Sequence, residues 1–121
     1  MASLSDREWT VLTALWASGG STLGELTESL RPETGWSRNT VLTYLTRMEA
    51  KGLVSIDKSG HPRLYRAALD RADCQAQERD SFLRRVYRGS AGDLVAAFLK
   101  EQALSPGERD DLRRLLDEME V

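Results

Sequence analysis

Cysteine is almost absent from this 121-residue chain: Cys74 stands alone, which excludes an intramolecular disulfide and fits a reducing compartment. There is a single histidine, His61, separated from it by twelve residues, so a Cys–His catalytic pair would depend on the fold to bring two remote side chains together. Neither a phosphate-cradling glycine loop nor a closely spaced set of metal ligands occurs, and the expectation is a protein without cofactor or metal that is not an enzyme. No apolar run approaches the roughly 18 residues that span a bilayer, so no membrane insertion is expected. The opening MASLSDREWT has no basic segment followed by an apolar block, which argues against a signal peptide and for the cytoplasm. Internal repeats and low-complexity segments are missing as well.

What is present is 40% hydrophobic and 30% charged residues, the composition of a soluble globular protein, in a length that suits one small domain with a helical appendage. So short a chain buries a limited core, and a second copy is a natural source of more. The net charge of −2 hides an asymmetry. From Arg31 to Arg66 seven bases face three acids, whereas from Ala67 onward nine bases face twelve acids. An anionic partner is therefore expected at the middle of the chain.

Helix signals punctuate the sequence. Ser5-Asp6-Arg7-Glu8, Thr22-Leu23-Gly24-Glu25 and Ser105-Pro106-Gly107-Glu108 all have the capping-box form, a hydroxyl cap with glutamate three residues on. The first predicts a helix carrying Leu12, Leu15 and Trp16 to Gly19-Gly20. The second predicts a short helix with Leu26 and Leu30 inward, closed by Pro32 and Gly35. Ser37 caps a third helix that Gly52 ends. The period then shortens: LVSI and RLYR, separated by Asp57-Lys58-Ser59-Gly60, predict a two-stranded hairpin whose register alternation alone leaves open, with Pro62 in its loop. Three amphipathic helices follow from Asp70, carrying Phe82, Leu83 and Val86, then Leu94, Val95, Phe98 and Leu99, then Leu112, Leu115, Leu116 and Met119.

The third helix is unusual in what fills its polar side. Wound at about 100° per residue, Val41, Tyr44, Leu45 and Met48 share an arc wide enough for core packing. The opposite arc carries Asn39, Thr40, Thr43, Thr46, Arg47, Ala50 and Lys51. Threonine and asparagine cost up to about 0.7 kcal/mol each against alanine in a helix, and an ordinary solvated face would carry Glu, Lys and Gln. No carboxylate occupies that arc, and Arg38 lies in the first turn, where the helix dipole disfavours a cation. Short polar side chains let a helix backbone lie deep in the DNA major groove. Hydroxyls, amides and arginine meet base edges and phosphates there, and a threonine methyl suits that of thymine.

A short helix, a tight turn and such a helix form a helix-turn-helix, and a hairpin directly after makes it winged. Lys58, His61 and Arg63 fall near the wing tip and could meet a neighbouring phosphate. The expected fold is thus mainly α with a small β-hairpin: a winged helix-turn-helix DNA-binding domain over 1–69, then a helical dimerisation domain over 70–121. The reading is a sequence-specific DNA binder. The alternative is a winged-helix protein-interaction adaptor or dimer scaffold, for which an exposed apolar patch on the third helix would be the expected sign.

Four stretches, LSDREWTVLTALW, TGWSRNTVLTYLTRMEAKGLV, FLRRVYRGSAGDLVAAFL and LSPGERDDLRRLLDEM, resemble in order and over nearly the whole chain the penicillinase-repressor family of BlaI and MecI type, with the copper-responsive CopY repressors as relatives. The most specific part is W-S-x-x-T-V-x-T-x-L-x-R-M-x-x-K-G-x-L, from Trp36 to Leu53. The resemblance implies a dimeric cytoplasmic repressor of a palindromic operator, with double-stranded DNA and a second copy as partners. It implies a recognition role for Ser37, Arg38, Asn39, Thr40, Thr43 and Arg47, and dimerisation through Phe82, Leu94, Val95, Phe98, Leu99, Leu112, Leu115 and Leu116. The residues themselves leave one alternative, that the last three helices fold back onto the winged helix.

The family's antibiotic-responsive members answer to a membrane sensor-protease, which the resemblance implies as a further partner, and are cut between an asparagine and a phenylalanine. The matching pair here is Ala97-Phe98, where alanine removes the polar feature and argues against induction by cleavage. The copper-responsive members carry a C-terminal cysteine cluster, and the tail DEMEV has none, which argues against a copper switch. The wing sequence GHPRLYRA also lacks the proline often found after the tyrosine strand.

Overall fold

The computed structural model describes residues 3–101 and 103–119. Helices α1 (Asp6–Ser18), α2 (Leu23–Thr34) and α3 (Arg38–Ala50) come first, followed by strands β1 (Val54–Asp57) and β2 (Leu64–Ala67). Helices α4 (Arg71–Tyr87), α5 (Ala91–Lys100) and α6 (Pro106–Met119) complete the chain. Two compact units result, Met1–Ala76 and Gln77–Val121, with the division falling inside α4 and not at its start.

The helix ends obey local chemistry. In both α1 and α2 the cap hydroxyl accepts from the N3 amide while the N3 glutamate accepts from the cap amide, closing both expected boxes. The same reciprocal pair, Ser105 with Glu108, opens α6. Gly19 and Gly35 end α1 and α2 in the left-handed conformation that glycine adopts without strain. One expectation needs correcting: Pro32 does not close α2 but lies within it. A proline so near the C-terminus removes one amide from the last turn, and the helix runs two residues further before Gly35 stops it.

The first unit has a sealed interior. Val11, Leu12 and Leu15 from α1, Leu26 and Leu30 from α2, and Val41, Leu45 and Met48 from α3 are buried together with Leu53, Val54 and Tyr65. The expected inward arc of α3 is therefore the observed one, with Tyr44 at its edge stacking on Trp36 at 4.7 Å between ring centres.

β1 and β2 pair antiparallel with Ile56 opposite Tyr65 and Ser55 opposite Arg66. On its other edge, β2 exchanges two backbone hydrogen bonds with Ser21: Ser21 N donates to Tyr65 O at 2.9 Å, and Tyr65 N to Ser21 O at 2.7 Å. This bridge ties the root of the hairpin to the α1–α2 connection. Gly20 beside it has φ +143°, a backbone angle that calls for glycine, and a Cβ there would stand 3.2 Å from the Arg66 side chain.

The second unit is built differently. α4 ends in Arg88 and Gly89, both at positive φ, and Ser90 caps α5 by accepting from Asp93 N. No described residue from 77 onward is buried in the single chain.

Candidate nucleic-acid interface

α3 is held from behind and at both ends. Its apolar side is locked in the core. At its start, Ser37 Oγ accepts from Thr40 N at 3.2 Å and donates to Thr40 Oγ1 at 3.1 Å. At its end, Lys51 Nζ donates to Glu8 Oε2 at 2.8 Å, while Glu8 Oε1 accepts from Ser5 N. Burial pushes the Glu8 carboxyl up, but the Lys51 hydrogen bond, the Ser5 amide and the Lys51 charge outweigh it and leave the group below its ordinary value. A further strut joins Arg7 Nη1 to Tyr44 Oη at 2.9 Å.

The outward side matches the expected arc. Ser37, Arg38, Asn39, Thr43, Thr46, Arg47 and Lys51 are exposed and Thr40 is half-buried. Among the described residues the side chains of Arg38, Asn39 and Arg47 have no ion pair and no hydrogen bond within the chain. Thr43 Oγ1 donates to Asn39 O and Thr46 Oγ1 to Leu42 O, each at 2.9 Å. Those hydroxyl protons are spent on the helix itself, so each threonine offers a ligand an acceptor and a methyl group. Lys51 differs from the two arginines of the set in having an ion-pair partner, its ammonium being held by Glu8.

The hairpin brings a second basic group alongside. Lys58, His61 and Arg63 are exposed in its loop, as is Pro62, which follows a cis peptide bond. Asp57 turns its carboxylate onto Ser59, accepting from the hydroxyl and the amide, and these bonds hold it below the usual carboxylate range. Arg63 and Arg38 line one open recess of about 300 Å³ with Thr22, Leu23, Gly24, Pro62 and Tyr65. The Arg38 guanidinium reaches within 3.9 Å of where a Cβ on Gly24 would stand. A cation thus sits at the first turns of both α2 and α3, where exposed amides already favour negative charge. Of the arginines outside this set, Arg31 pairs with Glu28 at 2.8 Å.

Three features here were beyond sequence reasoning. The Glu8–Lys51 pair joins residues 43 apart, the Ser21–Tyr65 bridge ties the hairpin to the α1–α2 connection, and Leu42 lies exposed on α3. Only Leu42 left a signal, as an apolar residue on the border of the polar arc.

In the second unit, Phe82, Val86, Val95, Phe98, Leu99, Leu112, Leu115, Leu116 and Met119 are exposed, while Leu83 and Leu94 are half-buried. Exposure reaches 61% at Leu116 and 79% at Met119. Ala97, half-buried, and Phe98 lie inside α5, where Ala97 O still accepts from Glu101 N. Cys74 is buried, and burial first, then Asp73 and Asp70, pushes its thiol up, which makes it a poor nucleophile. Among the described residues no helix is long and apolar enough to cross a membrane.

Residues 4–118 match the family described as penicillinase repressor. The chain belongs to the penicillinase repressor family. Its members are transcriptional repressors, not enzymes. The penicillinase repressor of Bacillus licheniformis is 30% identical over 95% of this chain and 90% of its own length. The methicillin resistance regulatory protein MecI of Staphylococcus aureus is 26% identical over 94% of this chain and 93% of its own. Among solved structures, B. licheniformis BlaI in its monomeric form bound to the blaP half-operator is 28% identical with a TM-score of 0.53, covering 60% of this chain and 88% of that one. As a penicillinase repressor family member, the protein carries its winged helix-turn-helix in the first unit, where α3 and the hairpin present the basic side.

Proposed function

We propose that this protein is a cytoplasmic, dimeric transcriptional repressor that occupies a palindromic operator. α3 lies in the major groove and the hairpin loop meets the flanking backbone. The observation that carries the reading is the outward side of α3: hydroxyls, an amide and two unpaired arginines, with no carboxylate before Glu49 in the last turn, on a helix fixed by its buried side. The similarity to a BlaI domain solved on its half-operator supports it. Ser37, Asn39, Thr40, Thr43, Thr46 and Arg47 face the groove. Arg38 and Arg63, with Lys58, supply phosphate contacts, and Lys51 holds the helix against α1.

Dimerisation falls to residues of the second unit, whose exposed apolar side chains need a cover. Two copies would place their α3 helices in successive major grooves about 34–36 Å apart, which mirrors a palindrome and blocks a promoter by occupancy. For the Ala97–Phe98 bond, alanine in the place of asparagine favours release of repression by a route other than a membrane sensor-protease. Incubation with such a protease should leave the chain whole.

The test is equilibrium binding to duplex carrying the gene's own upstream region, against random duplex, from 50 to 200 mM salt. Affinity for the upstream region should exceed that for random duplex and fall with a logarithmic slope of about −0.9 per phosphate neutralised. Equal affinity for the two duplexes would overturn the reading.

A further inference from the structure

Among the described residues of the first unit, Leu42 is the one large hydrophobic side chain that is exposed, at 39%. The other exposed ones all lie from Phe82 onward. A lone surface leucine ordinarily calls for no explanation, but this one stands on the helix that faces the groove. It is the fifth residue of α3, about 40° around the axis from both Arg38 and Thr46 and about 60° from Asn39. Glu49 shares its side of the helix two turns on. Leu42 lies in the N-terminal half of α3, the part that recognition helices turn to the bases, whereas Glu49 stands in the last turn.

We propose that Leu42 determines specificity by packing on the 5-methyl group of a thymine in each operator half-site. This rests on the α3-in-groove reading. Thymine is the base that displays an apolar group on its major-groove edge. Leucine can neither donate nor accept, so a cytosine or adenine amino group against it would lose water without gaining a partner. The side chain therefore selects by contact with the methyl and by exclusion of amino-bearing bases.

The experiment starts with duplexes enriched by the full-length protein from a random 30-base-pair pool. In the enriched duplex each thymine is replaced in turn by uracil, which removes the methyl and keeps every hydrogen-bonding group. At one position per half-site the exchange should weaken binding about fourfold, the equivalent of about 0.8 kcal/mol for one methyl-sized group. The same exchange should leave Leu42→Asn unaffected, and a pool enriched by that variant should lose the thymine. Insensitivity to uracil at every position overturns the proposal. So does an equal loss in the protein and the variant, which would give the methyl contact to Thr43 or Thr46. The uracil series uses the unaltered protein and holds whether or not the variant folds. A pool that does not enrich at all removes the DNA-binding reading itself, an outcome distinct from enrichment without a methyl effect.

Discussion

Between Glu8 and Tyr65, side chains such as Val11, Leu12, Leu26, Val41 and Leu45 are fully sealed from solvent. From residue 77 onward no described side chain is buried, although Phe82, Phe98, Leu99 and Leu115 are spaced as regularly as any in the first unit. Both regions have amphipathic helices with good caps. The difference lies in what their apolar stripes meet. Three helices and a hairpin close over one another within a single chain, while α5 and α6 carry stripes that the chain leaves open. The presentation of α3 is thus complete in one copy, and the proposed dimer is what would cover the stripes of α5 and α6.

The sharpest way to break this contrast is Leu115→Asp. A carboxylate placed in a covered apolar seam is left unpaired, so the dimer should dissociate at micromolar concentration by sedimentation. Operator affinity should drop about a hundredfold or more as the linkage between half-sites is lost. A variant that stays dimeric would remove that seam from the interface. In the sealed unit, Leu45→Ala should instead cost about 2–5 kcal/mol of unfolding free energy through the cavity it leaves, read by denaturant titration. Its dimerisation should be unchanged.

Arg47→Ala touches neither interior nor seam. It should leave stability and dimerisation as they are while costing about 1–3 kcal/mol of operator affinity if the guanidinium reads a base. Unchanged affinity would displace the reading side from Arg47. The smallest expected effect concerns the strut behind α3. Glu8 has a carboxyl lowered from 4.5 in the folded state. Its stabilising contribution is therefore present above that value and lost as the pH falls through the lower folded one. Urea midpoints of the parent should decline more steeply below about pH 4.5 than those of Glu8→Gln, and parallel curves would show that the Lys51 pair contributes nothing.

Much of the layout was legible because helix ends are decided locally. Ser5, Thr22, Ser37, Ser90 and Ser105 each satisfy an amide within three residues, so short sequence windows contain both partners. The inward arc of α3 followed from its period, and burial of Val41, Leu45 and Met48 agrees. Pro32 misled because its effect depends on how close the helix end already is. The hairpin register was illegible because both strands are only four residues long and their pairing is fixed partly by Ser21, 44 residues from Tyr65. Lys51 reads from the sequence as one more base on the polar arc, and only the approach of α1 gives its ammonium to Glu8.

By itself the sequence determined the order of elements, the two sides of α3 and the absence of carboxylates from the outer one, since periodicity and capping act over a turn or two of chain. Tertiary structure decided which stripes are covered, where the hairpin is anchored, that Arg38 and Arg63 share one recess, and that Leu42 is left in the open. Those are contacts between residues tens of positions apart. Their geometry depends on how whole elements pack, and no local pattern in the chain contains it.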